Sequence, residues 1–195
     1  MKELLYVDCC IRGEASRTRR IADAFLAALD PDAYRVTTLH LPQECLRPLT
    51  GDFFEARQRL LEQGALNHPR FAYAHQFANA DAVVIAAPFW DLSFPALLKI
   101  YIENVSVDGI TFGCNADGCY GICRGEHLVF LTSRGGYYAD SDLEQGSRYL
   151  AALKDFFGFG QYTCVAAEGV DAEGADPEAI VRDACARAAA LAAAL

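Results

Sequence analysis

The chain has 195 residues, 53% of them apolar, and a net charge of −9. That length suffices for one sizeable core, and an acidic chain with no basic tract beyond the local cluster Ser16–Arg20 argues against nucleic acid, whose phosphates must be neutralised. The longest apolar run, near Ala82–Trp90, is far short of the roughly 20 residues a membrane helix needs. The N-terminus has too short an apolar run for a signal peptide, so a cytoplasmic protein with no membrane partner is expected.

Glu3–Cys9 is a short apolar run of strand formers, followed by a polar, Gly-containing turn. Apolar residues at 21, 25, 26 and 29 predict a helix over Ser16–Leu29 with Ser16 as its N-cap. Tyr34–Leu41 alternates and reads as a strand. Helical patches follow at Asp52–Gln63 and around Phe71–Ala78. Asp81–Pro88 has the composition of a fully buried strand. Phe94–Val105 reads as a helix with Pro95 near its first turn. Gly109–Arg124 is expected to be an irregular loop rich in Gly and Cys. Glu126–Ser133 is another buried strand, Asp142–Phe159 a helix ending at glycines, Gln161–Gly169 a last strand and Pro177–Leu195 an Ala-rich last helix.

Apolar strands alternating with amphipathic helices predict an α/β fold, a doubly wound sheet of five parallel strands with helices on both faces. Residues 1–195 are expected to form one domain. Ligands of such sheets bind outside the carboxyl ends of the strands, so the loops that follow strands carry the functional information.

There are three such loops of interest. Cys9–Thr18 places Ser16, Arg17 and Thr18 at a helix start, where hydroxyls and free N–H groups suit a phosphomonoester. It is neither a Walker loop nor G-x-G-x-x-G, and the same residues also suit an ordinary capped helix. Pro88–Pro95 ends a strand with Phe89, Trp90, Asp91 and Leu92, a backbone edge and an aromatic wall for a flat heterocycle, or a surface turn with packed aromatics. Thr132–Tyr138 contains Gly135 and Gly136, which allow close backbone approach to a ligand, or make a plain glycine turn.

The segments Ala86–Phe112 and Thr132–Tyr138, with support from the first loop, resemble the FMN-dependent NAD(P)H:quinone oxidoreductase and azoreductase family, and the resemblance covers most of the chain. It implies a flavodoxin-like fold and bound FMN. NADH or NADPH would be the hydride donor, and a quinone, azo or nitroaromatic compound the acceptor, in a two-step exchange of two electrons. The flavin-contacting segments fall on Phe89–Leu92 beside Pro88, and on Ser133, Arg134, Gly135 and Gly136. The phosphate-binding helix start falls on Ser16, Arg17 and Thr18, with an upstream hydroxyl position at Cys10. Two departures stand out: Cys10 replaces a serine by a poorer donor, and Trp90-Asp91 replaces a frequent Tyr-Asn. No side-chain acid or base is implied.

The family is homodimeric with its site at the subunit interface. Among the aromatics, Phe94, Phe112, Tyr120, Tyr137 and Tyr138 are candidates for that region, with Tyr120, Tyr137 and Tyr138 beside the substrate. Tyr101 is expected in the core. The alternative function is an FMN-binding electron-transfer or redox-sensing protein without turnover of a small acceptor. The eight cysteines include no C-x-x-C pair. Cys114, Cys119 and Cys123 are expected to be free thiols rather than metal ligands or disulfides.

Overall fold

The computed structural model describes residues 1–195. In chain order the elements are β1 (Lys2–Asp8), α1 (Arg17–Ala27), β2 (Tyr34–His40), α2 (Gly51–Glu62), α3 (Ala72–Asn79), β3 (Ala82–Ala86), α4 (Ala96–Val105), β4 (Phe112–Asn115), β5 (Gly118–Gly121), β6 (His127–Ser133), α5 (Gly146–Phe157), β7 (Gln161–Ala167) and α6 (Pro177–Ala192). Leu4–Val7 and all of β3 are buried, as unbroken apolar runs require of central parallel strands. β2 exposes Arg35 to Thr38, which marks it as an edge.

The main sheet has five parallel strands in the order β2-β1-β3-β6-β7. From β1 the chain moves outward to β2, then returns to place β3 on the other side. The crevice between β1 and β3 is therefore the switch point. Period-two alternation sorts the strand side chains between two cores. Leu4, Tyr6, Val84 and Val129 meet Ile21 and Phe25 of α1 and Val181 and Ala184 of α6. Leu5, Val83, Ile85 and Phe130 meet Phe77 of α3, Leu98 and Tyr101 of α4 and Leu150 of α5. Tyr101 is fully buried, as expected. The fold is the α/β doubly wound arrangement read from the sequence.

Boundaries shift where caps decide them. Ser16 is the N-cap of α1, accepting a hydrogen bond from Arg19 N at 3.2 Å. Pro95 is the cap of α4 rather than part of its first turn. α5 starts at Gly146, four residues after the predicted start, and ends at Gly158 with φ +87°.

The Gly109–Arg124 segment is corrected: it holds an antiparallel hairpin, β4 with β5, outside the main sheet. Cys114 and Cys119 are directly opposed in it and form a disulfide, which corrects the expectation of free thiols there. Hairpin pairing sets their Cα atoms 4.0 Å apart, and this local proximity outweighs the compartment argument. Cys123 stays a free, buried thiol, and burial pushes its pKa up to about 12.

Candidate functional site

Backbone bonds lock the strand-end loops together. Ala87 N donates to Leu131 O at 3.2 Å and Phe89 N to Ser133 O at 3.2 Å. Arg134 N donates to Ala167 O at 2.8 Å and Asp171 N to Gly135 O at 3.0 Å. Thr18 Oγ1 and Ser133 Oγ share a hydrogen bond of 2.8 Å, which ties α1 to the end of β6. The three loops singled out in the sequence thus converge at one rim of the sheet, as parallel strands with right-handed crossovers require.

Between them lies a cleft of about 120 Å³ lined by Arg12, Ser16, Arg17, Pro88, Phe89, Trp90, Ser133, Gly135, Val170 and Asp171. One end is cationic and donor-rich. Arg12 and Arg17 stand beside the start of α1, whose first N–H groups have no intrahelical acceptor. Arg17 Nη1 is held by Asp171 Oδ1 at 2.7 Å. The other end is aromatic: Trp90 is 42% exposed at the rim, and Phe89 packs on Tyr138 with ring centroids 4.7 Å apart. The N–H groups of Asp91, Leu92, Gly135 and Gly136, on the turns around this end, donate to no protein group.

Trp90 is aimed by a tight hairpin. Trp90 and Ser93 exchange backbone hydrogen bonds of 3.2 and 2.8 Å, and both central residues, Asp91 and Leu92, have positive φ, +49° and +64°. Such turns favour Asn-Gly or Asp-Gly; Leu92 is strained there by roughly 1–2 kcal/mol. Strain of this kind gathers at functional sites. Leu92→Gly is expected to raise stability by about 0.5–1 kcal/mol, the relief less the entropy glycine adds to the unfolded chain. Urea unfolding checks it, and a loss of stability would place the native turn in another class.

The structure separates the sequence-predicted residues. Ser16, Arg17, Pro88, Phe89, Trp90, Ser133 and Gly135 line the cleft. Thr18 is fully buried and serves through its bond to Ser133. Asp91, Leu92 and Gly136 flank the cleft without lining it. Cys10 does not line the cleft: its thiol is buried, points toward Ala86 O at 3.8 Å, and borders a separate cavity with Asp8, Arg19 and His40. Burial, then the Asp8 charge, pushes that thiol well above its ordinary pKa. The Arg134 side chain does not line the cleft. It is 3% exposed and paired to Glu144 at 3.1 Å and to Glu168.

Tyr120 lies on the β4–β5 hairpin, packed over Gly113, and does not line the cleft. Tyr137 is 72% exposed and Tyr138 lies under Phe89, so neither lines it. Arg12, Val170 and Asp171 were missed. The signal for the last two was available, because they follow the end of β7 as the other loops follow β1, β3 and β6. A larger opening of about 710 Å³ runs along the free edge of β7, but its buried Arg134 is paired to buried Glu144 and to half-buried Glu168.

Comparison with known proteins agrees with this geometry. The family model described as flavodoxin-like fold matches residues 2–192. A protein of Clostridium acetobutylicum named FMN-dependent NADH:quinone oxidoreductase 2 is 38% identical, with 94% of each chain covered. A Clostridium perfringens protein named FMN-dependent NADH:quinone oxidoreductase is 38% identical, with 88% of each covered. The crystal structure of an azoreductase from Bacillus anthracis superposes with a TM-score of 0.86 over 100% of both chains at 27% identity. No helix is long and apolar enough to cross a membrane. With a match over nearly its whole length and relatives at that identity, the chain belongs to the flavodoxin-like-fold family that includes the FMN-dependent NADH:quinone oxidoreductases.

Proposed function

We propose that this protein is an FMN-dependent NADH oxidoreductase that reduces quinones or azo compounds by two electrons. Residues 1–195 would act as one FMN-binding domain. The observation that carries the reading is the cleft itself, cationic at the start of α1 and aromatic at Trp90, with unpaired N–H groups on the turns between. Relatives at 38% identity carrying that name support it.

The residues present fit such a cofactor. Arg12, Ser16 and the first N–H groups of α1 would hold the phosphate, with Arg17 released from or shared with Asp171. Phe89 and Trp90 would wall the ring, and the Asp91, Leu92, Gly135 and Gly136 N–H groups would meet its polar edge. FMN, when bound, supplies hydride chemistry between NADH and the acceptor. The protein contributes preorganised donors: the Gly135 and Gly136 turn is fixed by the bonds from Asp171 N and Gly169 N, so its N–H groups need no reorganisation. One donor so fixed is worth about 3 kcal/mol where charge develops.

The cleft of about 120 Å³ is below the roughly 300 Å³ at which enclosed sites begin, so a ring seated there would be only partly enclosed by one chain. A homodimer whose partner closes the rest completes the proposal, with Tyr120, Tyr137 and Tyr138 near the acceptor. A cytoplasmic location is part of the same proposal. The purified protein is expected to be yellow, to lose its flavin absorbance with NADH, and to reduce menadione catalytically. A protein that cannot be loaded with FMN would overturn the reading. The exposed Cys114–Cys119 disulfide favours the rival role of redox sensing, and that role gains if flavin binds but menadione is not turned over.

A further inference from the structure

Arg47, Arg57 and Arg70 form a cationic cluster away from the cleft. The Arg70 guanidinium lies 3.7 Å from the Phe53 ring centroid and that of Arg47 lies 4.7 Å from it. Arg70 Nη2 donates to Phe53 O at 2.6 Å, and Arg57 Nη2 to Ser106 O at 2.6 Å. These bonds hold the side chains in place but neutralise no charge. Burial first, then the Arg70 charge, pushes Arg57 below its ordinary pKa, and burial followed by Arg47 does the same to Arg70.

None of the three has a carboxylate within ion-pair distance, in a chain with 26 acidic residues whose Arg17, Arg20, Arg35 and Arg124 are all paired. Arg57 Nε is buried without any partner. The cluster stands along the N-terminal half of α2: Arg57 is its seventh residue, and Arg47 and Arg70 lie over Phe53 in its first turn. Asp52, in that first turn, pairs with none of the arginines. α2 buries none of its residues. The cluster is tied to the far end of α4, through Arg57 to Ser106 O and Asn104 Nδ2 to Arg47 O at 3.0 Å. Trp90 and Ser93 precede the near end, and the helix between spans about 15 Å.

We propose that Arg47, Arg57 and Arg70, beside the N-terminal half of α2, form a second anion site, which takes a phosphate-bearing small molecule. Three guanidinium groups without a carboxylate call for a multivalent anion. Phosphate offers several acceptor oxygens to planar forks, where a carboxylate offers two. The phosphate can be free or part of a nucleotide.

Calorimetric titration with pyrophosphate and with ADP, at constant ionic strength, tests this on the wild type, Arg17→Gln, Arg57→Gln and Arg47→Gln. Arg47 makes no side-chain hydrogen bond, so its replacement should leave folding intact even if Arg57→Gln does not. The wild type and Arg17→Gln are expected to retain a site that weakens by about tenfold or more in the α2-side variants. ADP binding tighter than pyrophosphate identifies a nucleotide, and equal binding a free phosphate. Binding unchanged in Arg47→Gln and Arg57→Gln, or lost only in Arg17→Gln, overturns the proposal. So does a wild type that binds neither ligand but loses a dimer in those variants, since the arginines would then pair across subunits.

Discussion

Arg134→Met is expected to lower stability by about 3–5 kcal/mol, the penalty for stranding a buried charge when its partner is removed. Arg134 is 3% exposed and lies between Glu144 and Glu168. Methionine fills much of the volume but leaves the buried Glu144 carboxylate and the half-buried Glu168 carboxylate without their cation. Glu168 also accepts from Tyr138 N at 2.6 Å and Ala139 N at 3.1 Å, so Arg134 anchors the segment after Gly136 through that carboxylate. Flavin affinity should fall with stability although the side chain never reaches the cleft. Urea unfolding measures the first effect. Adding Glu144→Gln and Glu168→Gln to the variant should recover part of the loss. A change below about 1 kcal/mol would mean that the trio is solvated rather than buried.

Gly121→Ala is expected to destabilise by about 3 kcal/mol or more, beyond ordinary overpacking. A Cβ at Gly121 would stand 2.0 Å from Gly158 N and from Phe157 C. These are backbone atoms at the end of α5, and they cannot swing aside. Gly158 has already turned to φ +87°, and Phe157 O accepts from Cys123 N at 3.0 Å. Gly113→Ala is the contrast within the same hairpin, since its Cβ would meet only the tip of the Tyr120 ring at 3.0 Å, which can rotate. Thermal unfolding of both variants checks the ordering, and equal melting temperatures would show that the hairpin does not seat against α5.

The fold was legible because its central strands are unbroken apolar runs and its helices carry periodic apolar positions. Asp81–Pro88 and Glu126–Ser133 read as buried strands and are so, save for a residue or two at their ends. The cleft was legible through the rule that ligands gather at strand ends, applied to three loops. Applied to the fourth, it would have found Val170 and Asp171. Side-chain direction was not legible. Arg134 and Ser133 are neighbours on a strand end and so point to opposite faces, which sends one to Glu144 and the other to Thr18. The hairpin escaped notice because Gly, Cys and Asn carry no strand pattern, and its disulfide depends on a register that only pairing sets.

The most direct test of the central claim, that one rim joins a phosphate end to an aromatic, N–H-lined end, is fluorescence titration of apoprotein with FMN and with riboflavin. FMN is expected to bind about 100-fold more tightly, the contribution of roughly two charge-assisted hydrogen bonds at Arg12, Ser16, Arg17 and the start of α1. Equal affinity for the two, or binding of neither, would contradict it.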